Sequence, residues 1–506
     1  MATDGHDVDL LVVGGGINGV GIARDAVGRG LSVLLCEQDD LAGHTSSAST
    51  KLIHGGLRYL EQYEFSLVGK ALTEREVLLR AAPHIIWPLR FVLPHEPHLR
   101  PAWMIRVGMW LYDRLGQAGD RRLLPRSDTV HFPSHAAGAA LKPHIRRAFV
   151  YSDAWTQDAR MVVLNAMDAR ARGATVRTRT RCVRAARQAG HWQVELRDRD
   201  GNPTTVRARA LANAAGPWAG RFLDEVAHVR HPHQVHLVKG SHIVVPRLFD
   251  HGFAYIFQQP DRRIVFAIPY ERDYTLVGTT DVEYDGDPAR VAIDDDERRY
   301  LCDAANRYFR QQIGTGDIVW AYSGVRPLLG DDASSASEAT RDYRIELDHD
   351  DGAPLLNVFG GKLTTYRKLG EEAVDRLAPL LGCEAGPWTG DDAPLPGGDM
   401  PDADFDRFHR GFRERFAWLP EDFALRLARN YGTLAGRVLD GARSLDDLGQ
   451  HFGADLYAAE VDYLVREEWA HTAEDILWRR SKLGLRLDQQ GVAALEAHLA
   501  RAAAPA

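Results

Sequence analysis

Apolar and polar positions divide this chain of 506 residues into three regimes. In the first, Leu10–Val13 and Leu31–Cys36 are short, continuous apolar runs of the kind that strands buried on both faces show, and helical spacing lies between them. A helix is predicted over 67–80. Another runs from Asp158 to Arg172 and stops at Gly173, followed by strands near 176–183, 192–196 and 206–214, the last two joined through an Asp200–Gly201 turn. In the second regime, residues 234–281 alternate with period two. Strands at 235–238, 243–245, 255–257, 264–268 and 275–278 predict an antiparallel sheet. A polar helix over 294–309, a strand from 318 leading into Ser323–Arg326, an apolar strand at 355–359 and a helix beyond Lys362 follow. Residues 384–404, rich in Pro, Gly and Asp, read as a linker. In the third regime, 405–501, the period is helical throughout, beginning with Phe405, Phe408, Phe412 and Phe416.

The first strand and helix are joined by Gly14, Gly16 and Gly19 on a G-x-G-x-x-G spacing, with Asn18 inside it. The first glycine permits the tight turn, the second lets a pyrophosphate approach the backbone, and the third lets helix and strand pack closely. The helix start supplies free N–H groups and the positive end of a dipole. Glu37 ends the second strand, placed to accept hydrogen bonds from a ribose diol. These features leave NAD and FAD open, because both carry an ADP half. Two later features favour FAD. A hydroxyl-rich loop bearing Thr45, Ser46, Ser49, Lys51 and Leu52 follows the second strand, suited to the second phosphate and the isoalloxazine edge. A second small-residue turn, Asn213–Trp218 with Gly216, returns the chain to the nucleotide. The strand 355–359 then ends in Gly360, Gly361, Lys362, Leu363 and Thr364 at a helix start, a second anion site for the pyrimidine edge of a flavin.

The predicted fold class is therefore α/β, a two-dinucleotide-binding (Rossmann-like) FAD fold with an antiparallel-sheet substrate domain and a C-terminal all-helical domain. The expected boundaries are an oxidoreductase region over 1–388, a linker over 389–404 and a helical domain over 405–506. Within the first, FAD-binding parts fall near 1–84, 150–232 and 318–388, and substrate- or membrane-facing parts near 85–149 and 233–317.

A net charge of -8 argues against a general nucleic-acid binder. Four dispersed cysteines without C-x-x-C spacing point to a reducing compartment and to neither zinc nor a disulfide framework. The acidic N-terminus does not resemble a signal peptide, and no stretch has the roughly 20 apolar residues of a spanning helix. The exception in polarity is 99–116, where Trp103, Met104, Val107 and Trp110 mix with Arg100, Arg106 and Arg114. Such a helix can pack inward or rest in a headgroup layer.

Taken in order, TSSASTKLIHGGLRYLE, LTEREVLLR, LRPAWMIRVG, NAAGPW, VKGSHIVVP, RIVFAIPY, VGTTDVEYDGDP, YSGVRPL, TRDY and VFGGKLTTYRKL resemble the FAD-dependent respiratory glycerol-3-phosphate dehydrogenases, the bacterial aerobic kind above all, over nearly the whole chain. The resemblance implies oxidation of sn-glycerol 3-phosphate to dihydroxyacetone phosphate with FAD, delivery of electrons to a membrane quinone, and a cytoplasmic protein attached peripherally to the inner face of the cell membrane; with no His or Cys in an obvious flavin-linking motif, the FAD is expected to be non-covalent. It leaves open whether the protein is a homodimer. The calcium-binding loops of mitochondrial relatives have no counterpart here, and no metal is expected.

The chemistry requires an anchor for a phosphate dianion and a base for the carbinol proton. Arg58, Arg326 and Arg341 offer permanently charged planar forks, and the resemblance points to the same positions. His54 and His242 are the candidate bases, unranked, with Tyr59 an outsider. Lys362 is placed to stabilise a reduced flavin or a substrate oxygen. Competing functions are an oxygen-using oxidase, an amine or amino-acid oxidase of the same fold, and a non-catalytic FAD-binding redox sensor.

Overall fold

A computed structural model describes residues 6–96, 100–115, 124–188, 190–231, 235–261, 263–329, 342–350, 352–390 and 393–503. One sheet carries the glycine turns. Its strands run in the order Arg344–Asp348, Leu355–Phe359, Pro203–Asn213, His6–Val13, Val33–Cys36 and Thr175–Arg177, all parallel neighbours except the first pair. The short apolar runs form its centre because both of its faces are covered. On one face, α1 (Ile17–Gly28) packs with the helices Asp158–Ala171 and Tyr366–Leu381 in a single apolar cluster with Leu10, Val12 and Leu35. On the other, the meander Thr180–Gln188 and His191–Asp198 packs Trp192 and Val194 against Leu11 and Leu34. The Asp200–Gly201 turn between Asp198 and Pro203 closes the expected hairpin, with Gly201 at φ 84°.

The second sheet has ten strands, and its longer pairings are antiparallel. The segments expected at 235–238 and 243–245 are one strand, Val235–Pro246, because Lys239–His242 continue its ladder with Trp320–Leu329. Two long strands escaped the alternation rule. Arg147–Thr156 is almost wholly buried and so does not alternate, and Ile86–His95 carries Pro88 and Pro94. Both prolines pair with Arg147–Thr156, whereas the parallel neighbour Ala254–Gln258 meets only Phe91 and Val92. No second ladder therefore demands the missing N–H groups. The described parts of the segment expected at 85–116 are a strand, Ile86–His95, and a helix, Ala102–Leu115.

The C-terminal part packs the helices Phe405–Arg415, Glu421–Tyr431, Ala458–Glu468 and Gln489–Ala503 around its own apolar core. It is not purely helical. Gly449 at φ 76° precedes a small hairpin, His451–Gly453 with Leu456–Tyr457, and Gly453 at φ 118° ends its first strand. The Pro-Gly-rich stretch before it is docked along the first sheet's helices. Asp25 accepts hydrogen bonds from the backbone N–H groups of Trp388 (3.0 Å) and Thr389 (3.1 Å), and Leu395 N–H donates to the Ala81 carbonyl at 2.8 Å.

Candidate active site

The glycine turn behaves as its spacing requires. Gly14 has φ 112°, and a Cβ there would lie 2.4 Å from the Ala214 carbonyl oxygen, on the second small-residue turn. A Cβ on Gly19 would lie 1.9 Å from the Gly14 carbonyl oxygen, so close helix-to-strand packing depends on its absence. At the start of α1, Ile17 N–H donates to Ser46 Oγ at 3.0 Å, which places the hydroxyl-rich loop over the anion-binding end of the helix.

Asn18 joins the two glycine turns. Its Nδ2 donates to the Gly360 carbonyl at 3.0 Å, and its Oδ1 is buried with no hydrogen-bond partner. Gly360 and Gly361 have φ of 71° and 99°, and a Cβ on Gly361 would lie 2.8 Å from Asn18 Nδ2. The chain beyond Gly361 forms a short turn, Leu363–Thr365, ahead of the helix Tyr366–Leu381. Thr364 Oγ1 accepts from His54 N–H at 3.2 Å, so the second turn also touches the loop that carries His54. Lys362 Nζ lies 4.0 Å from the centroid of the Tyr59 ring.

A cavity of about 440 Å³ runs from Gly14 and Gly16 past Glu37 and Thr45 to Gly216 and Cys182. Glu37 Oε2 accepts from Gly15 N–H at 2.6 Å and Oε1 from Asp39 N–H at 2.8 Å. Burial raises the Glu37 pKa above the ordinary carboxylate value against the pull of those two donors. A carboxylate offers about four acceptor sites, so a diol can still be received. A helix start at the glycine turn, a backbone surface that no side chain could cover, a buried unpartnered amide oxygen and an acid at the far wall fit a dinucleotide.

Two residues expected at the cofactor also make internal contacts. Lys51 is buried, and its three donors go to Asp158 Oδ1 (2.9 Å), Asp158 Oδ2 (2.8 Å) and the Ser47 carbonyl (3.0 Å). Ser49 Oγ also donates to Asp158, at 2.8 Å. A buried carboxylate at the start of the helix Asp158–Ala171 pulls both inward, so they shape the loop through Asp158. Thr45 Oγ1 donates to the Val325 carbonyl at 2.7 Å and ties the same loop to the substrate sheet. Leu52 lies on the short buried strand Leu52–Ile53.

On the substrate sheet, period two sorts the residues by face. Lys239 pairs with Glu297 at 2.7 Å and Ser241 Oγ donates to Glu297 at 2.9 Å, both towards the helix Asp295–Tyr308. Val238, Gly240 and His242 point the other way and stand opposite Arg326, Gly324 and Tyr322. Gly324 lets the strand press on Ala48, whose Cβ would be 2.8 Å from an added Cβ. His242 is 2% exposed, stacks on Tyr322 with centroids 4.8 Å apart, and places Nε2 3.0 Å from Thr50 Oγ1. Burial, with help from Lys51 and Arg326, holds its pKa well below the ordinary imidazole value. Arg326 is half-buried, with Nη2 2.9 Å from Asp281 Oδ1. The side chain of Arg58 and the whole of Arg341 lie outside the described residues.

Tyr322, Thr50, Asp281 and Asp158 escaped the sequence reading. Tyr322 was within reach of it, because stepping back by twos from Arg326 gives Gly324 and then Tyr322. Asp158 and Asp281 carry no comparable local signal.

Fold and cavity together define a flavoprotein oxidoreductase of the two-dinucleotide-binding class. A family model described as FAD dependent oxidoreductase matches residues 9–367, and one described as C-terminal domain of alpha-glycerophosphate oxidase matches 389–505. The chain is 56% identical over 478 residues to a glycerol-3-phosphate dehydrogenase of Pseudomonas aeruginosa, covering 94% of this chain and 92% of that one. It is 50% identical over 482 residues to a D-erythritol 1-phosphate dehydrogenase of Brucella abortus, covering 95% of each. The solved glycerol-3-phosphate dehydrogenase of Bacillus halodurans, complexed with FAD, superposes with a TM-score of 0.74 at 29% identity, covering 94% of this chain and 86% of that one. The chain belongs to the FAD-dependent oxidoreductases, in the glycerol-3-phosphate dehydrogenase family. Its cofactor is FAD.

Proposed function

We propose that this protein oxidises sn-glycerol 3-phosphate to dihydroxyacetone phosphate and passes the electrons to a membrane quinone. When bound, FAD supplies the acceptor for the carbinol hydride. The observation that carries the reading is the shared face of Val235–Pro246 and Trp320–Leu329, where a neutral imidazole and a guanidinium flank a floor of two glycines. Arg326, with Arg58 and Arg341 in the same role, binds the phosphate dianion and orients the carbinol. His242 takes the hydroxyl proton, because its lowered pKa keeps the ring in the accepting form at pH 7. His54 is the alternative base on the loop held by Thr364. Lys362 holds a positive charge beside that loop.

Among the described residues no helix is long and apolar enough to cross a membrane. On Ala102–Leu115, Trp103 (67% exposed), Val107 (56%) and Trp110 (51%) fall at i, i+4 and i+7, so the outward stripe carries large apolar side chains, with Arg106 and Arg114 exposed among them. The opposite stripe, Met109 and Tyr112, is buried, and Tyr112 Oη accepts from Gly55 N–H at 2.8 Å. We assign the outward stripe to the headgroup layer, with the protein resting on the membrane's cytoplasmic face.

Anaerobic addition of glycerol 3-phosphate to the holoprotein should bleach the yellow flavin band in one turnover without quinone. A band that persists at saturating substrate defeats the reading. The resemblance to the D-erythritol 1-phosphate enzyme supports a second substrate, a four-carbon polyol phosphate with the same anionic head. The ratio of kcat/KM for the two phosphates, measured side by side, decides between them.

A further inference from the structure

The C-terminal domain reaches the cofactor cavity through buried charge. Asp40 lies three residues beyond Glu37, on the loop that walls the cavity, and is 3% exposed. Its carboxylate accepts a two-pronged fork from Arg480, Nη1 at 2.6 Å and Nη2 at 2.8 Å, and a third bond from Arg479 Nε at 2.6 Å. On its inner side the same loop is tied to the phosphate turn, because Ala42 N–H donates to the Gly15 carbonyl at 3.2 Å. Ala42 holds φ 58°, and the Asp40 carbonyl accepts from Gly43 N–H at 2.9 Å. The loop is therefore suspended between the glycine turn and two arginines more than four hundred residues away in the chain.

The neighbouring segment of the cavity lining is held from the same place. Thr180, Arg181 and Cys182 line it, and the residue before them, Arg179, donates its N–H to the Asp39 carbonyl at 2.8 Å and Nη2 to Asp475 Oδ2 at 2.6 Å. Asp475 also accepts from Arg479 Nη2 at 2.5 Å. Arginines and carboxylates alternate: Arg179, Asp475, Arg479, Asp40 and Arg480 form one chain, and Arg480 continues to Glu468, which pairs with Arg160. Each buried charge is answered by its neighbour, so losing one end leaves the next uncompensated.

We infer that the turn Asp475–Arg480 is a clamp on the FAD cavity, and that Arg480, Arg479 and Arg179 are positioning residues for FAD that do not touch it. Pulling Asp40 and Arg179 towards one helical turn fixes the two adjoining segments that line the Glu37 end of the cavity. Cofactor binding and C-terminal docking then share one free energy, and coupling is reciprocal. FAD must tighten the C-terminal contact as the contact tightens FAD.

The test reads flavin, so its outcome is independent of the substrate assigned above. Apoprotein titrated with FAD, followed by flavin fluorescence, should show Kd rising about tenfold in Arg480→Met and several-fold in Arg179→Met. The gap in Tm between holoprotein and apoprotein should narrow in both variants, whereas a purely structural pair lowers both temperatures together. In the unaltered protein, FAD should slow amide exchange across residues 466–486. If Arg480→Met does not fold, Arg179→Met and the exchange measurement decide the matter. Folded variants with unaltered Kd, or FAD-dependent protection that stops short of residue 389, overturn the clamp.

Discussion

The two halves of the site are specified in different materials. At the cofactor end the determinants are absences: an added Cβ at Gly14, Gly19 or Gly361 meets backbone or a fixed amide at 2.8 Å or less. At the proposed substrate end they are side chains set by neighbouring charge: burial with Lys51 and Arg326 keeps His242 neutral, and Asp281 answers Arg326. Backbone geometry recognises what is constant in a dinucleotide, its pyrophosphate and sugar, whereas side-chain charge can be retuned for one phosphorylated alcohol or another. The D-erythritol 1-phosphate relative, alike over 95% of the chain, is what such a division allows.

The largest expected effect lies at the cofactor end. Gly14→Ala puts a methyl carbon 2.4 Å from the Ala214 oxygen at a φ of 112°. The two turns must part, and FAD affinity should fall by at least about a thousandfold, the class of cost that a forbidden φ and a lost phosphate turn impose together. Protein purified without flavin is the readout; normal yellow holoprotein would show that the turn is not what holds the cofactor. At the substrate end, Arg326→Met should leave the flavin content intact and lower kcat/KM by roughly a hundredfold, about 3 kcal/mol for one charge-assisted phosphate contact. Arg326→Lys should fall between, because an ammonium keeps the charge and loses the fork. A kcat/KM within twofold of wild type in the Met variant would move the anchor elsewhere.

How much of this was legible follows the same division. Glycine spacings are local and their purpose is steric, so the phosphate turn, the Asn213–Trp218 turn and the Gly360–Gly361 turn could be read from the residues, although their meeting at Asn18 could not. The substrate sheet was legible in part at Val235–Pro246, read as two strands because Lys239–His242 interrupt its apolar run. It was hidden where burial removes alternation, as in Arg147–Thr156, or where prolines disguise a strand, as in Ile86–His95. The Lys51–Asp158 pair and the arginines on Asp40 join positions 107 and 439 or 440 residues apart, and no spacing rule reaches that far. The inward direction of the Lys51 charge is one such long-range feature.

The helix Ala102–Leu115 offers a third kind of specification, in which an apolar stripe is left outside. Trp103→Glu with Trp110→Glu should weaken binding to lipid vesicles by roughly a hundredfold or more, since the two indoles removed from the interface together cost on the order of 2–4 kcal/mol and the added carboxylates add to that. Activity with a soluble dye acceptor should persist, because the inward residues Met109 and Tyr112 are unaltered. Equal sedimentation of variant and wild type with vesicles discards the assignment.

The smallest effect tests whether charge exclusion also holds the halves together. His84 lies at the junction with the C-terminal part, 0% exposed, with Gly397 and Gly432 so near that a Cβ on either would be within 3.1 Å of its ring. Burial, and then the fields of Arg160 and Arg429, lower its pKa from 6.5 to about 3. The folded value lies below the unfolded one, so the unfolded chain takes the proton first. The stabilisation is complete above about pH 6.5 and declines as the pH falls towards the folded value. Between pH 7.5 and 5.5 this one ring should remove about 1.4 kcal/mol, tenfold in the folding equilibrium. The urea midpoint should drop accordingly in wild type and by correspondingly less in His84→Leu. Matching pH profiles in the two proteins would mean that the junction admits a charged imidazole, and the contrast between a junction that excludes charge at His84 and one that pairs it at Asp40 would be lost.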